Sequence, residues 1–277
     1  MESIEQKQTN KTTSAPIQNI LKKVPEVTIF FWLTKLVTTG MGEVFSDYIV
    51  KTLTPVIGVA VALFVLILSL ILQFKVRKYV PIIYWLVVVM ISVFGTVAAD
   101  VVHVGLGVPY VISTVFFAVS LVIIFMIWYK MEKTLSIHSI YTRRREILYW
   151  SVVMGTFALG TAAGDMTAST MHLGYFSSGL LFTALLAIPV IGRKFFKLNE
   201  VFSFWFAYIM TRPVGASFSD WSSVSQKHGG LGFGGGPVTL VLSIIIIILV
   251  AYLSFSKKDV QNEVDVDNRL ITYKKKS

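Results

Sequence analysis

The chain has no cysteine, which removes disulfides, zinc–thiolate centres and thiol catalysis at once. Charge is scarce, at 14% of 277 residues, while apolar residues make up 55%. That leaves too little polar surface to wrap a soluble domain of this length. No phosphate-cradling glycine loop of Walker type occurs, which argues against ATP-driven pumping by this chain. The N-terminal stretch to about Gln18 is polar and lacks the apolar core of a signal peptide, so the first span is expected to be retained.

What the chain does have is long apolar runs. Residues 52–74, 79–99, 101–129, 166–192 and 229–256 carry no charge, and each reaches the roughly 20 residues a helix needs to cross hydrocarbon. Three further spans carry few charges: 27–47 holds Lys35 and Glu43, 147–165 ends on Asp165, and 201–220 contains Arg212. The expectation is an all-α integral membrane bundle of eight transmembrane helices. It occupies residues 24–256, with a cytoplasmic tail at 1–23 and another at 257–277.

The net charge of +10 does not indicate nucleic acid, because the basic residues sit in the joints between apolar runs and in the tails. Of the 25 Lys and Arg, Lys51 and Lys227 alone lie on one side; Lys35 and Arg212 fall inside spans, and the rest lie on the other side. The positive-inside rule then places both termini in the cytoplasm. The C-terminal tail reads as solvated, with Lys274, Lys275 and Lys276 able to meet anionic lipid.

A repeat underlies the runs. Phe31-Trp32, Tyr84-Trp85, Tyr149-Trp150 and Phe204-Trp205 each open a span, and Asp47, Asp100, Asp165 and Asp220 follow their tryptophan at one fixed offset. Gly42, Gly95, Gly160 and Gly215 precede each Asp at another. The copies fall at about 24–76, 77–132, 142–194 and 197–256. Each holds two spans, an even number, so all four enter the membrane in the same direction and their aspartates share one depth. Trp32, Trp85, Trp150 and Trp205 are expected to anchor at the cytoplasmic headgroup belt, which puts the carboxylates roughly 22 Å away along the helix, in the outer half of the bilayer or near its outer boundary. Small residues before each Asp (Ser46, Ala99, Gly164 and Ser219) suit close packing of the odd-numbered helices around the centre.

These features, with Thr38-Thr39-Gly40-Met41-Gly42-Glu43 and Gly160-Thr161-Ala162-Ala163-Gly164-Asp165, resemble a family of bacterial membrane proteins. Its members carry four tandem copies of a two-span repeat of unknown function, each with a tryptophan. The resemblance covers about residues 22–256 and implies the architecture and a bacterial plasma membrane, not a substrate.

Intramembrane carboxylates are costly and normally face a partner or a watery cavity. The reading favoured here is that Asp47, Asp100, Asp165 and Asp220 bind a small cation, a proton or both, with Glu43 on the same helical face as Asp47 coupling a proton. The competing reading is that each Asp only ties helices together. Lys35 is expected to neutralise a neighbouring carboxylate. Arg212, beside Pro213 where the helix should break or kink, either balances charge or gates. His103, His172 and His228 lie just beyond the Asp residues. They are candidate ligands for a first-row divalent metal, which would be cargo rather than cofactor, against the plainer reading of hydrogen-bonding loop residues. The glycine-rich stretch 221–236 is expected to form a flexible outer gate. The expected function is secondary transport of a small cation; a cation channel with an Asp ring and a non-transporting scaffold or sensor are the alternatives. An enzyme is not expected. The partners expected are the bilayer and a small cation or proton, with homo-oligomerisation left open.

Overall fold

The computed structural model describes residues 22–260. The described residues form eight long helices and no strand. In chain order these are α1 (Ile29–Thr52), α2 (Pro55–Lys75), α3 (Pro81–Asp100), α4 (Tyr110–Glu132), α5 (Arg143–Asp165), α6 (Gly174–Phe196), α7 (Glu200–Ser223) and α8 (Gly235–Ser256). Their starts follow local chemistry. Thr28, Thr142 and Asn199 accept hydrogen bonds from first-turn amides of α1, α5 and α7, while α2 and α3 open on a proline, whose missing N–H costs nothing there. At the other end, α4, α6 and α8 each stop on a lysine in the left-handed conformation: Lys133, Lys197 and Lys257.

The odd-numbered helices form an inner ring in which α1 touches α3, α3 touches α5, α5 touches α7 and α7 returns to α1. Each outer helix packs chiefly on the inner helix of the following copy: α2 on α3, α4 on α5, α6 on α7, and α8 back on α1. The repeat is thus wound into a closed pseudo-fourfold bundle.

The repeat glycines set the spacing of the ring. A Cβ on Gly42 would collide with Ser92, one on Gly95 with Phe157, one on Gly160 with Arg212, and one on Gly215 with Thr39. In every case the glycine of one copy receives the same repeat position of the next copy. Absence of a side chain lets the helices approach closely where no hydrophobic driving force separates protein from lipid.

Six of the eight described helices are long and apolar enough to cross a membrane. The other two, α1 and α7, carry Thr34, Lys35, Thr38, Thr39 and Glu43, and Thr211, Arg212, Ser217 and Ser219, all buried. α3 and α5 bury 61% of their most apolar stretch, against 17% or 22% for the outer helices, whose exposed Leu, Ile, Val and Phe faces suit lipid.

Four expectations are corrected. Trp85, Trp150 and Trp205 are 5% exposed or less, and Trp32 is partly buried. They are core residues rather than headgroup anchors, because each ring packs across a helix joint on the aromatic of the preceding copy, Trp85 on Phe31, Trp150 on Tyr84, Trp205 on Tyr149 and Trp32 on Phe204. α7 runs unbroken through Pro213. The glycine-rich segment is not a free gate: α7 extends to Ser223, and the loop folds back with Leu231, Gly232, Phe233 and Gly234 donating to the carbonyls of Trp221, Val224, Ser222 and Ser223. Finally, the described edges of both tails are docked. Lys23 donates to Glu146 (2.6 Å), Gln73 completes that carboxylate (3.0 Å), and Asp259 accepts from the Tyr79 hydroxyl. The lipid contact expected of Lys274, Lys275 and Lys276 falls outside the described residues.

Candidate cation site on the repeat axis

Counting in steps of four from the aromatic residue before each tryptophan gives successive axial layers, because residues four apart lie on one helical face. The first layer is Phe31, Tyr84, Tyr149 and Phe204; the second Lys35, Val88, Val153 and Tyr208; the third Thr39, Ser92, Phe157 and Arg212; the fourth Glu43, Thr96, Thr161 and Ala216. All sixteen are buried. The fifth layer is Asp47, Asp100, Asp165 and Asp220, each partly accessible.

The aromatic layer closes the tryptophan end, with the Tyr84 and Tyr149 hydroxyls 2.5 Å apart. In the second layer the Lys35 ammonium meets no carboxylate. It lies 4.1 Å from the ring centres of both Phe157 and Tyr208 and makes no hydrogen bond. The expected ion pair of Lys35 is therefore corrected: α1 turns this side chain toward an aromatic stretch of the axis, away from Glu43.

Arg212 takes the carboxylate instead. Its guanidinium donates to Glu43 and to the Thr96 hydroxyl, to the Thr161 hydroxyl at 2.7 Å, and to the Thr39 carbonyl at 3.0 Å. One side chain from the fourth copy thus crosses the axis to groups from the other three. The charge-balancing expectation for Arg212 agrees with this geometry.

Beyond this seal lies a pocket lined by all four aspartates together with Glu43, Lys51, Tyr110 and Tyr175. Asp47 is paired with Lys51 at 2.5 Å. Glu43, Asp165 and Asp220 can each bring one oxygen within 4.8 Å of the others, the only grouping among the described residues with the reach to share a metal ion. The repeat thus does place its carboxylates together.

The three histidines do not join them. His103 is 2.5 Å from the Val108 carbonyl and stacks on Tyr110, and His228 lies 2.9 Å from the Ser225 hydroxyl. His172 has φ 54° and is exposed. Past Asp100 and Asp165 the backbone passes into π-turns, Val101–Gly105 and Met166–Thr170, which carry the chain toward α4 and α6 rather than along the axis. Tyr110 and Tyr175 were missed by the sequence reading. Both stand at one offset after their aspartate, in the two copies that have the π-turn, and this shared spacing was the available signal.

A family model described as Repeat of Unknown Function (DUF347) matches residues 30–79, 83–134, 148–198 and 203–259. The chain belongs to this family. No curated protein and no solved structure matches it. Each of the four matches contains one Trp–Asp helix and the outer helix that follows it, so the DUF347 repeat is the unit of the pseudo-fourfold ring.

Proposed function

We propose that this DUF347 protein is a secondary transporter of a small cation, with all eight helices spanning the membrane. The observation that carries the reading is the convergence of four repeat aspartates and Glu43 on one pocket that is open at one end and sealed at the other by Arg212. With Glu43 paired to Arg212 and Asp47 to Lys51, Asp100, Asp165 and Asp220 have no basic partner in the pocket, a deficit of positive charge that bound cations or protons would supply. Burial of Lys35, Glu43 and Arg212 against the axis explains how α1 and α7 would span despite their charge. Positive-inside orientation would set the pocket toward the outside of a bacterial plasma membrane.

A channel is disfavoured because the axis below the acids is filled, first by Arg212 and then by Lys35. Two long buried side chains plugging the path, one of them the Arg212 guanidinium, call for rearrangement with every transfer, which is the behaviour of a carrier. The carboxylate group Glu43, Asp165 and Asp220 suits a divalent metal as cargo, with protons as the counter-moving species.

Proteoliposome flux of Mn²⁺, Co²⁺, Zn²⁺, Mg²⁺ and monovalent ions under an imposed pH gradient tests this. Saturable flux is expected for one class of ion, lost in Asp165→Asn and Asp220→Asn. No flux of any ion from well-folded protein would remove the transport reading and leave a scaffold or sensor.

A further inference from the structure

The fourth layer of the axis is a ready-made cation seat whose occupant is covalently attached. Glu43, Thr96 and Thr161 occupy the same repeat position in copies one to three, and the fourth copy has Ala216 there, which offers no polar group. The three polar side chains are 5% exposed or less. Their oxygens all lie within hydrogen-bonding reach of one nitrogen, Nη2 of Arg212, and share its two N–H groups, while its Nη1 donates to the Thr39 carbonyl. The guanidinium comes from one layer away: Arg212 belongs to the third layer, and its stem lies against Gly160, where no side chain stands. Only Nε of Arg212 is left without a hydrogen-bond partner.

We infer that this seat is a cation-binding site in its own right, selective for guanidinium-class cations, and that Arg212 is its tethered ligand. The seat holds a carboxylate for charge and two hydroxyls and a carbonyl for direction, all nearly buried, so a planar cation with N–H donors pointing in several directions satisfies it better than a spherical ion of equal charge. This rests in part on the transport reading, for a cargo that reaches Glu43 from the acidic pocket must displace the guanidinium. The proximity of Asp165 and Asp220 to Glu43 gives the arriving cation a set of oxygens to exchange for. Arg212 is then the built-in competitor that closes the path until cargo arrives.

The test detaches the ligand. Purified Arg212→Ala protein is unfolded thermally in low-millimolar guanidinium chloride, beside equal concentrations of sodium and tetramethylammonium chloride, with wild type and the Arg212→Ala/Glu43→Gln double variant as comparisons. Expected is a saturable rise in Tm of roughly a few degrees in Arg212→Ala with guanidinium only, and none in wild type or the double variant. Should Arg212→Ala not accumulate, Arg212→Met retains the Cβ and Cγ that pack on Gly160, and the same rise is expected there. A flat or non-saturable response in the folded variant, an equal response in the double variant, or failure of both variants to fold even with guanidinium present would overturn the proposal. Because the readout is binding, its failure is separable from an absence of ion flux.

Discussion

At the scale of single residues, the axis gives opposite forecasts for two kinds of substitution. Gly42→Ala and Gly215→Ala place a methyl group against Ser92 and Thr39, where the next inner helix stands. Each is expected to cost about 1–3 kcal/mol through overpacking, read as a lower Tm in detergent. Gly155→Ala meets the flexible end of Leu121 at 3.2 Å and otherwise makes ordinary contacts with Leu121 and Ile124, and with the helix preference of alanine it should be near neutral. Equal loss at all three positions would remove the ring-spacing role from the repeat glycines. Lys35 makes the reverse case. Its ammonium is fully buried without a hydrogen bond, held only by the faces of Phe157 and Tyr208, and two such ring contacts offset little of the cost of desolvating a charge. Lys35→Met, close in length and apolar, is expected to raise stability by roughly 1–3 kcal/mol. A destabilised Lys35→Met would show that the ammonium has a binding partner worth more than its desolvation.

At the scale of elements, the sequence exposed periodic features and hid those that depend on neighbours. The fixed Trp–Asp offset was enough to place four carboxylates at one level, because helical rise converts spacing into depth. The same spacing misplaced the tryptophans. Whether an aromatic ring faces lipid or core is decided by the adjacent copy, and here Trp85 packs on Phe31, Trp150 on Tyr84, Trp205 on Tyr149 and Trp32 on Phe204, each the aromatic of the preceding copy. Lys35 was assigned a carboxylate by proximity in sequence, yet Glu43 is reached from α7 by Arg212. The docked tail edges were also hidden, since Lys23, Tyr79, Glu146 and Asp259 come from four separate segments. That docking has a pH signature. Burial raises the Asp259 carboxyl above the usual carboxylate range, against the opposing effect of the Tyr79 hydrogen bond. The docked form therefore holds its proton more tightly than the undocked form, so docking is strongest in acid and weakens as pH rises through the docked pKa. Amide exchange at residues 257–260, corrected for its intrinsic pH dependence, should show protection falling from about pH 4 upward. In Asp259→Asn, which keeps an acceptor for Tyr79 without a charge, protection should be flat across that range, and an unchanged slope would assign the effect to another group.

At the scale of the whole molecule, the ring closes on itself through a joint built from the same repeat positions as the others. α8 packs on α1 as α2 packs on α3, and the Gly215–Thr39 approach repeats Gly42–Ser92. The described ends of the chain also meet, with the Glu26 amide donating to the Asp259 carbonyl at 2.8 Å. If closure is a property of the repeat rather than of chain order, the seam can be moved. A circular permutant that joins residue 260 to residue 22 through a short Gly/Ser linker, and opens between Lys197 and Leu198, keeps eight helices, four complete copies and both new termini at the tryptophan end. Termini that lie close together and a joint in an exposed connection are the conditions under which permutation is tolerated. It is expected to insert, to bury its tryptophans as judged by fluorescence, and to melt within a few degrees of the parent. A permutant opened between Leu106 and Gly107 is the contrasting case. It separates α3 from α4 within one copy and moves both termini to the aspartate end, against the distribution of positive charge, and it should insert poorly. Comparable yield and Tm for both permutants would mean that charge distribution and repeat boundaries do not govern assembly. Failure of the first alone would mean that the joint between the fourth and first copies depends on chain order, and that the fourfold ring is a geometric likeness without equivalent energetics.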